Sequence, residues 1–516
     1  MVSEECSPDT GHVPFERTAR FALLLKAGAK SWIDRMMRVF LPRLQHYSTS
    51  TRFRLPPTIH EVLQTTPVGQ PVSLTAWVKS IRKQKRIAFG VLSDGSSAAG
   101  LQAVFHDDLR ERVNEISNGT SLHVKGKIVE SLGAGQAREL HVQDVQILGS
   151  CDPELYPIQK KAMNAEYLRD HAHLRPRTDA IAAMVRLRGR IMQGMNRYFA
   201  DQSFTYTHTP VLTNGDAEGG GEAFRLAPIS QDPTLPERDR EFFSHPAYLT
   251  VSHQLHLEAL CSALNRVYTL SPCFRAERGV TRRHLAEFWM LEAEWGVPSG
   301  LVRGVVGDRA LLGSEDMDVL WRHRENDSVS VADREKRREA VVDAVTQEAP
   351  WPHMSYSDAI RELLKANREW EFPVRWGSAL QSEHEKWLCE ELVGGPVFVT
   401  DYPASLKPFY MRANPPVEGE NELTMGCFDL LVPHVGELAG GSVREERLEL
   451  LKAAMASKGM DSNGEQYAWY CALREFGGAP HVGFGMGFER LVGWVGGVDN
   501  VRECIPMPRW AGRMLM

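Results

Sequence analysis

Between residues 71 and 148, apolar and polar residues alternate with a period of two. In PVSLTAWVKSIRK the alternating set is Val72, Leu74, Ala76 and Val78, and RIAFGVLSDGS, GLQAVF, SLHVKGKIVES and ELHVQDVQIL follow. Turn signals separate these runs at Asp94-Gly95, Asn118-Gly119 and Gly133-Ala134-Gly135. A period of two sends successive side chains to opposite faces, so each run reads as a half-buried strand. About five short strands in roughly 90 residues predict a small β-barrel.

The expected barrel spans residues 59–150 and has the strand number of an OB-fold. Arg82, Lys83, Lys85 and Arg86 form a basic cluster beside Phe89. Cations for phosphates beside an aromatic face for a base suit single-stranded nucleic acid. A solvated hairpin with Phe89 in its core is the alternative, and composition does not separate the two.

The chain has 516 residues, 43% hydrophobic and 24% charged, with a net charge of -6. That usage excludes a mostly disordered or fibrous chain and a globally basic nucleic-acid coat. None of the 8 cysteines has CxxC spacing. Scattered cysteines argue against a zinc framework or a disulfide scaffold, and for a reducing compartment. No apolar run approaches about 18 residues, so no membrane insertion is expected.

Residues 1–58 read as an N-terminal extension. From Met36 the text is MMRVFLPRLQHYSTSTRFRLPPTIH, with Arg38, Arg43, Arg52 and Arg54 and no acid until Glu61. Arg-rich, Ser-rich and acid-poor text is the composition of an organelle presequence. The expected address is the mitochondrial matrix, with a cytoplasmic form through an alternative start at Met1 or Met36. A disordered basic arm is the other reading.

Residues 151–178, with Pro153, Pro157 and Pro176, read as a hinge, and 179–516 as a second domain. Ile181, Met184, Val185, Ile191, Met192, Met195, Tyr198 and Phe199 recur at helical steps before an extended segment reaching Pro210. Residues 300–350 read as a charged helical insertion with a solvated surface. Three stretches could carry chemistry. FRAE (274–277) and RHLAEF (283–288) offer Arg275 for a phosphate, His284 at a loop end, and Phe288 for a base. FDL with GELAGGSVRE places Asp429 and Glu437 eight residues apart, able to hold Mg²⁺ through oxygen, with Arg444 as an anion or carbonyl clamp. GFGMGFERL offers glycines for close backbone approach, then Arg490. Taken singly, each also reads as an ordinary surface strand, polar turn or helix cap.

Taken together and in order, these stretches resemble the three motifs of the class II aminoacyl-tRNA synthetases, and among them the asparaginyl family of mitochondrial type. The linking segments YPIQKK (156–161), HLRPRT (173–178), DAEGGGE (216–222) and FVTDYP (398–403) match as well. The resemblance covers roughly residues 60–516. It implies an α+β chain: an OB-fold barrel for the anticodon, then an antiparallel sheet flanked by helices, dimerised through the motif 1 region as a homodimer. It implies ATP as substrate, Mg²⁺ as cofactor, and L-asparagine and tRNA(Asn) as partners. Carried over by position, Arg275 grips the α-phosphate, His284 the outer phosphates and Arg490 the γ-phosphate. Glu277 and Phe288 hold the adenine, and Glu437 ligates Mg²⁺ with Asp429 nearby. Glu218 and Gln254 take the amino acid's ammonium. Phe89 stacks an anticodon base, Gln102 reads an edge, and Arg82 lies beside them.

The nearest relatives of that family activate aspartate. They carry a Lys where Leu257 stands, and usually an Asp where Glu292 stands. Without the Lys, a buried aspartate carboxylate has no partner. A Glu at 292 would accept from an amide NH₂ and repel a carboxylate. Arg444 would hold the oxygen that both side chains share. His253 and Val443 depart from the family's usual Gly and Gln, and the loop Arg278–Arg282 lacks its Asn/Ser-rich text. An aspartate or nondiscriminating enzyme, an ammonia-dependent asparagine synthetase and a non-catalytic tRNA-binding paralogue are the competing readings. The barrel argues against the synthetase, and retention of Arg275, Glu437 and Arg490 against the paralogue.

Overall fold

A computed structural model describes residues 55–516 apart from residues 134, 160, 162, 216–222, 228–240, 280, 297–313, 323–329, 347–348, 417–422 and 465. The presequence text from Met36 to residue 54 and the DAEGGGE segment with Glu218 therefore lie outside the described residues.

The first helix, α1 (Ile59–Thr65), starts at a capping box in which Thr58 accepts from the Glu61 amide and the Glu61 carboxylate accepts from the Thr58 amide. Five strands follow: β1 (Pro71–Lys83), β2 (Ile87–Ser93), β3 (Leu101–His106), β4 (Ser121–Glu130) and β5 (Arg138–Gly149). They close as a barrel in the order β1-β2-β3-β5-β4. The predicted alternation is the cause. Leu74, Ala76 and Val78 face inward with Ala88, Leu92, Ala103 and Phe105, and Ile59 and Val62 of α1 join the same core. Gly90 belongs to that layer because a Cβ there would come 3.2 Å from the Phe105 ring.

Beyond the barrel, Arg175 is fully buried and pins residues 151–178 to the C-terminal segment. Its guanidinium donates to Glu503 at 2.7 Å and to the Pro506 carbonyl at 2.9 Å. The stretch read as a hinge is thus anchored at its end. The long helix α2 (Asp179–Asp201) buries Ile181, Met184, Leu187, Ile191, Met195 and Phe199. Val185 and Met192, which share the helical period, lie on its open side at 39% and 41% exposure.

After β6 (Thr205–Tyr206), three short strands, β7 (Leu212–Thr213), β8 (Arg225–Leu226) and β9 (Ala247–Leu249), make a small sheet. Helix α3 (Gln254–Leu264) leads into the hairpin β10 (Arg266–Phe274) and β11 (Glu287–Trp295). Next come α4 (Glu315–Arg322), α5 (Val331–Thr346), β12 (His353–Ser355), α6 (Ser382–Trp387) and β13 (Val397–Thr400). The chain then adds β14 (Cys427–Val432), β15 (Gly436–Val443), α7 (Ala468–Glu475), β16 (Val482–Gly487) and α8 (Phe488–Gly496). Eight strands form one sheet in the order β12-β13-β14-β15-β16-β11-β10-β6. The sheet is antiparallel except for its outermost pairs, β12/β13 and β10/β6, which are parallel. With the barrel, this gives the expected α+β architecture.

Of the 300–350 region, residues 314–322, 330–346 and 349–350 are described; they add a buried face to the expected solvated one, on which Asp333, Glu335, Lys336 and Glu339 are exposed. Met317, Leu320 and Trp321 on α4, and Val341, Ala344 and Val345 on α5, sit in the main core with Leu187 and Val495. Among the charges around them, Asp316 is paired with the scaffold: it binds Arg186 at 2.7 Å and Arg190 at 3.2 Å. Trp321 also donates to the Val495 carbonyl at 3.0 Å. Trp321→Ala should therefore cost about 3–5 kcal/mol, as for a large core truncation. Chemical denaturation checks it; a change below about 0.5 kcal/mol would mark a surface position.

Candidate active site

The site lies on the sheet over β11, β15 and β16. Register places Glu292 opposite Gly485 and Glu294 opposite Gly483, with Gly440 opposite Gly485 on the other side. The glycines make room for charge. A Cβ on Gly483 would overlap the Glu294 carboxylate. A Cβ on Gly440 would meet Asp429 Oδ1 at 3.1 Å and Glu437 Oε1 at 3.4 Å, so both carboxylates converge over that bare backbone.

A cavity of about 390 Å³ opens there. Its lining includes every described site residue that the sequence proposed for the catalytic domain: Gln254, Arg275, Glu277, His284, Phe288, Glu292, Asp429, Glu437, Arg444 and Arg490. Ser252, Arg283, Lys407 and Tyr410 join them.

One end of the cavity is cationic. Arg275 follows β10, and its amide donates to the Ala286 carbonyl across the hairpin. Its guanidinium lies 5.5 Å from the centre of the Phe288 ring and 3.9 Å from Glu277. Glu277 also approaches His284 Nε2 at 3.4 Å, while His284 Nδ1 meets the Thr281 hydroxyl at 2.6 Å. Arg490, in the first turn of α8, donates to the Glu437 carbonyl at 2.7 Å and to its carboxylate at 3.2 Å.

Beside Arg490 lies the carboxylate pair. Burial pushes the Asp429 carboxyl up; Lys407, within 3.0 Å of both its oxygens, opposes that, and Glu437 adds to it. Burial acts on Glu437 too, but Arg490 and Lys407 outweigh it and hold that carboxyl below its usual range. Two oxygen donors converging under cationic control fit a hard divalent cation, with Lys407 as the competitor for Asp429. Lys407 had no sequence signal beyond its place four residues after FVTDYP.

The other end is a buried charge network. Arg444 donates to Glu294 at 2.5 Å and to the Ser442 hydroxyl at 2.6 Å, under the Tyr410 ring. The expected clamp is thus already held by a carboxylate of its own chain. Glu258, on α3, is fully enclosed by donors: Gln254, Tyr470, Arg474 and His481, all within 3.0 Å. Burial would raise Glu258, but Arg474 and His481 overcome it and drive its carboxyl far down. Burial, helped by Glu258, lifts Glu294 to about 7 against the pull of Arg444.

Glu292 accepts from the Ser252 hydroxyl at 2.5 Å and from the His253 amide at 2.9 Å, which fixes its carboxylate against the cavity. Leu257 is different. It packs with Cys261 and Val267 and does not line the cavity, so that position matters only through the cation it lacks. His253, Cys273 and Glu292 lie close enough to share a metal ion. Both imidazole nitrogens of His253 are taken, by Thr209 at 2.6 Å and the Pro272 carbonyl at 3.0 Å, and the cluster is packed core.

On the barrel, Arg82 stands opposite Phe89 across β1 and β2, and Val91 opposite Gln102 across β2 and β3. Ala88 and Gly90 face the core, so Phe89 points outward. This removes the core-Phe alternative. Gln102 donates to Glu139 on β5 at 3.0 Å, adding an acceptor that the sequence did not single out.

Residues 164–511 match the tRNA synthetases class II (D, K and N), and residues 72–148 match an OB-fold nucleic acid binding domain. The chain belongs to that class II synthetase family. It is 40% identical over 473 residues to the asparagine–tRNA ligase of Rhodopirellula baltica, covering 88% of this chain and 93% of that one. The asparagine–tRNA ligase of Xanthomonas axonopodis pv. citri is 41% identical, with 88% and 98% covered. In structure it is similar to Pyrococcus horikoshii asparaginyl-tRNA synthetase complexed with asparaginyl-adenylate, at TM-score 0.75 and 28% identity, covering 90% of this chain and all of the other. Within the class, it belongs with the asparagine–tRNA ligases.

His481 offers a pH test of the network. Burial lowers it, but its hydrogen bond to Glu258 and that carboxylate's charge raise it above 6.5. The folded chain then holds a proton that the unfolded chain releases. The stabilisation is complete below about pH 6.5 and fades as pH rises through the folded value. His481→Gln should cost about 1–3 kcal/mol at pH 6 and much less at pH 9, read from denaturation midpoints. An equal loss at both would contradict the charged pair.

Proposed function

We propose that the protein activates L-asparagine with ATP and transfers the asparaginyl group to the 3′ end of tRNA(Asn). The observation that carries this is the single cavity that joins cations at one end to the Glu292–Arg444 recognition pair at the other. In the first step, a carboxylate oxygen of asparagine attacks the α-phosphorus of ATP. The bond to the bridging oxygen breaks, and pyrophosphate leaves with its electron pair. A ribose hydroxyl of the tRNA then attacks the acyl carbon, and AMP departs. Such chemistry depends on in-line positioning and on cations where charge develops.

In this reading Arg275 grips the α-phosphate, and its stacking on Phe288 aims the guanidinium. Glu277 and Phe288 frame the adenine. His284 and Arg490 take the outer phosphates, and Arg275 and His284 exchange their contact with Glu277 for the ligand. Mg²⁺, held by Glu437 and Asp429, would neutralise phosphate charge. Glu292 receives the asparagine amide NH₂. Arg444, its orientation fixed by Glu294 and Ser442, donates to the side-chain oxygen. Gln254 and Glu218 take the ammonium group. Phe89, Gln102 and Arg82 supply stacking, edge reading and phosphate contact for the anticodon.

A homodimer through the motif 1 region is part of the proposal. Val185 and Met192 on α2, and Tyr206 and Leu212 just beyond in the chain, are apolar side chains at 39–47% exposure that a second copy would cover. The basic, acid-poor text from Met36 supports a mitochondrial matrix address, with a cytoplasmic form through an alternative start.

The test is charging of a tRNA(Asn) transcript with radiolabelled asparagine by the full chain with Mg²⁺. Arg275→Ala should lower the rate of adenylate formation roughly 10²–10³-fold, as for loss of one transition-state donor. Absence of charging by the folded wild-type chain would contradict the proposal.

A further inference from the structure

Behind the cationic end of the active-site cavity lies a second cavity of about 390 Å³. The two share a wall: Arg283, Glu489, Arg490 and Val501 line both. The far side of the second cavity is formed by Arg282, Lys386 and His434. These come from three separate places: the loop between β10 and β11, helix α6, and the turn between β14 and β15.

The charges here divide into held and available ones. Arg283 is tied to Ser382 at 2.8 Å and to Glu385 at 3.3 Å, and Arg490 to Glu437. The acids of the cavity are engaged as well. Glu489 binds Arg188 at 2.7 Å, Asp499 binds Arg337 at 2.8 Å, and Glu390 accepts from the His434 amide at 2.6 Å. Arg282 and Lys386 have no ion-pair or side-chain hydrogen-bond partner among the described residues. Two available cations line this cavity, which is open to solvent at Arg282 and His434, and two of its three acids are already paired with arginines from outside it. Such a space favours an anion carrying several oxygens. Among the described residues, the wall that it shares with the active site lies at the cationic end.

We propose that this second cavity binds the inorganic pyrophosphate released by adenylation, with Lys386 and Arg282 drawing it past the Arg283–Arg490 wall. The inference rests on the adenylation reading above. It separates product binding from substrate binding: ATP is held in front of the wall, and pyrophosphate behind it.

Calorimetric titration tests it. Mg²⁺-pyrophosphate is titrated into the full chain preloaded with a non-reactive sulfamoyl analogue of asparaginyl-adenylate, and ATP is titrated separately into the empty protein. Lys386→Ala and Arg282→Ala should each raise the Kd for pyrophosphate about tenfold, the scale of one charge-assisted phosphate contact. The Kd for ATP should move less than twofold, and Lys386→Arg should restore pyrophosphate binding. Unchanged pyrophosphate affinity in both alanine variants would overturn the inference while leaving adenylation intact. Equal losses for ATP and pyrophosphate would also overturn it, because the cations would then serve the outer phosphates of ATP. Failure of the wild-type chain to bind the analogue would instead overturn the adenylation reading on which the inference stands.

Discussion

The buried pair of Arg444 and Glu294 sets the terms for the rest of the catalytic domain. Removing two charges from water costs several kcal/mol per ion unless geometry and further hydrogen bonds compensate. Here the compensation comes from distant parts of the chain. Ser442 completes Arg444, and Glu258 lies 3.9 Å away within its own ring of Arg474, Tyr470 and His481. Helices α3 and α7 and strands β11 and β15 are thereby fixed to one another around an ionic centre. Gly483 follows from it, since any side chain there would occupy the space of the Glu294 carboxylate. The Arg444 guanidinium, which lines the cavity, is thus held in one orientation by its own chain.

The same economy of charge governs the opposite end. Arg275 and His284 both approach Glu277, and Arg490 pairs with Glu437 and Lys407 with Asp429. Each of these cations has a nearby carboxylate to rest against, so this end of the cavity carries little unpaired charge. A ligand with its own phosphates and metal substitutes one set of partners for another. That lowers the reorganisation needed when charge develops at the reacting phosphorus. One end of the cavity thus has a buried, fixed donor set, and the other has half-exposed ion pairs.

Much of this was legible in the sequence, and the physical reason differs by element. The barrel was readable because a period of two leaves only one face for Leu74, Ala76 and Val78. The proposed site residues were readable because their chemistry is unusual in ordered combination, and the structure brings those described in the catalytic domain into one cavity. What the sequence hid was pairing over distance. Glu294 and Arg444 are 150 residues apart, and Glu258 and Arg474 are 216 apart. Neither pair has a local pattern. The core face of α4 is hidden in the sequence because Met317, Leu320 and Trp321 are embedded among Glu315, Asp316, Asp318 and Arg322, and Asp316 is a buried partner of Arg186. At Leu257 the sequence speaks only through the cation that is missing; the packing of that side chain with Cys261 and Val267 has no local signal.

The central claim is that this cavity activates asparagine and discriminates against aspartate by presenting Glu292 to the side chain. ATP–pyrophosphate exchange by the purified chain, with asparagine and aspartate measured side by side, tests it most directly. The account predicts exchange with asparagine and a kcat/KM for aspartate lower by about 10⁴-fold, the scale reached by polar discrimination in a buried site. Comparable exchange with the two amino acids would contradict it.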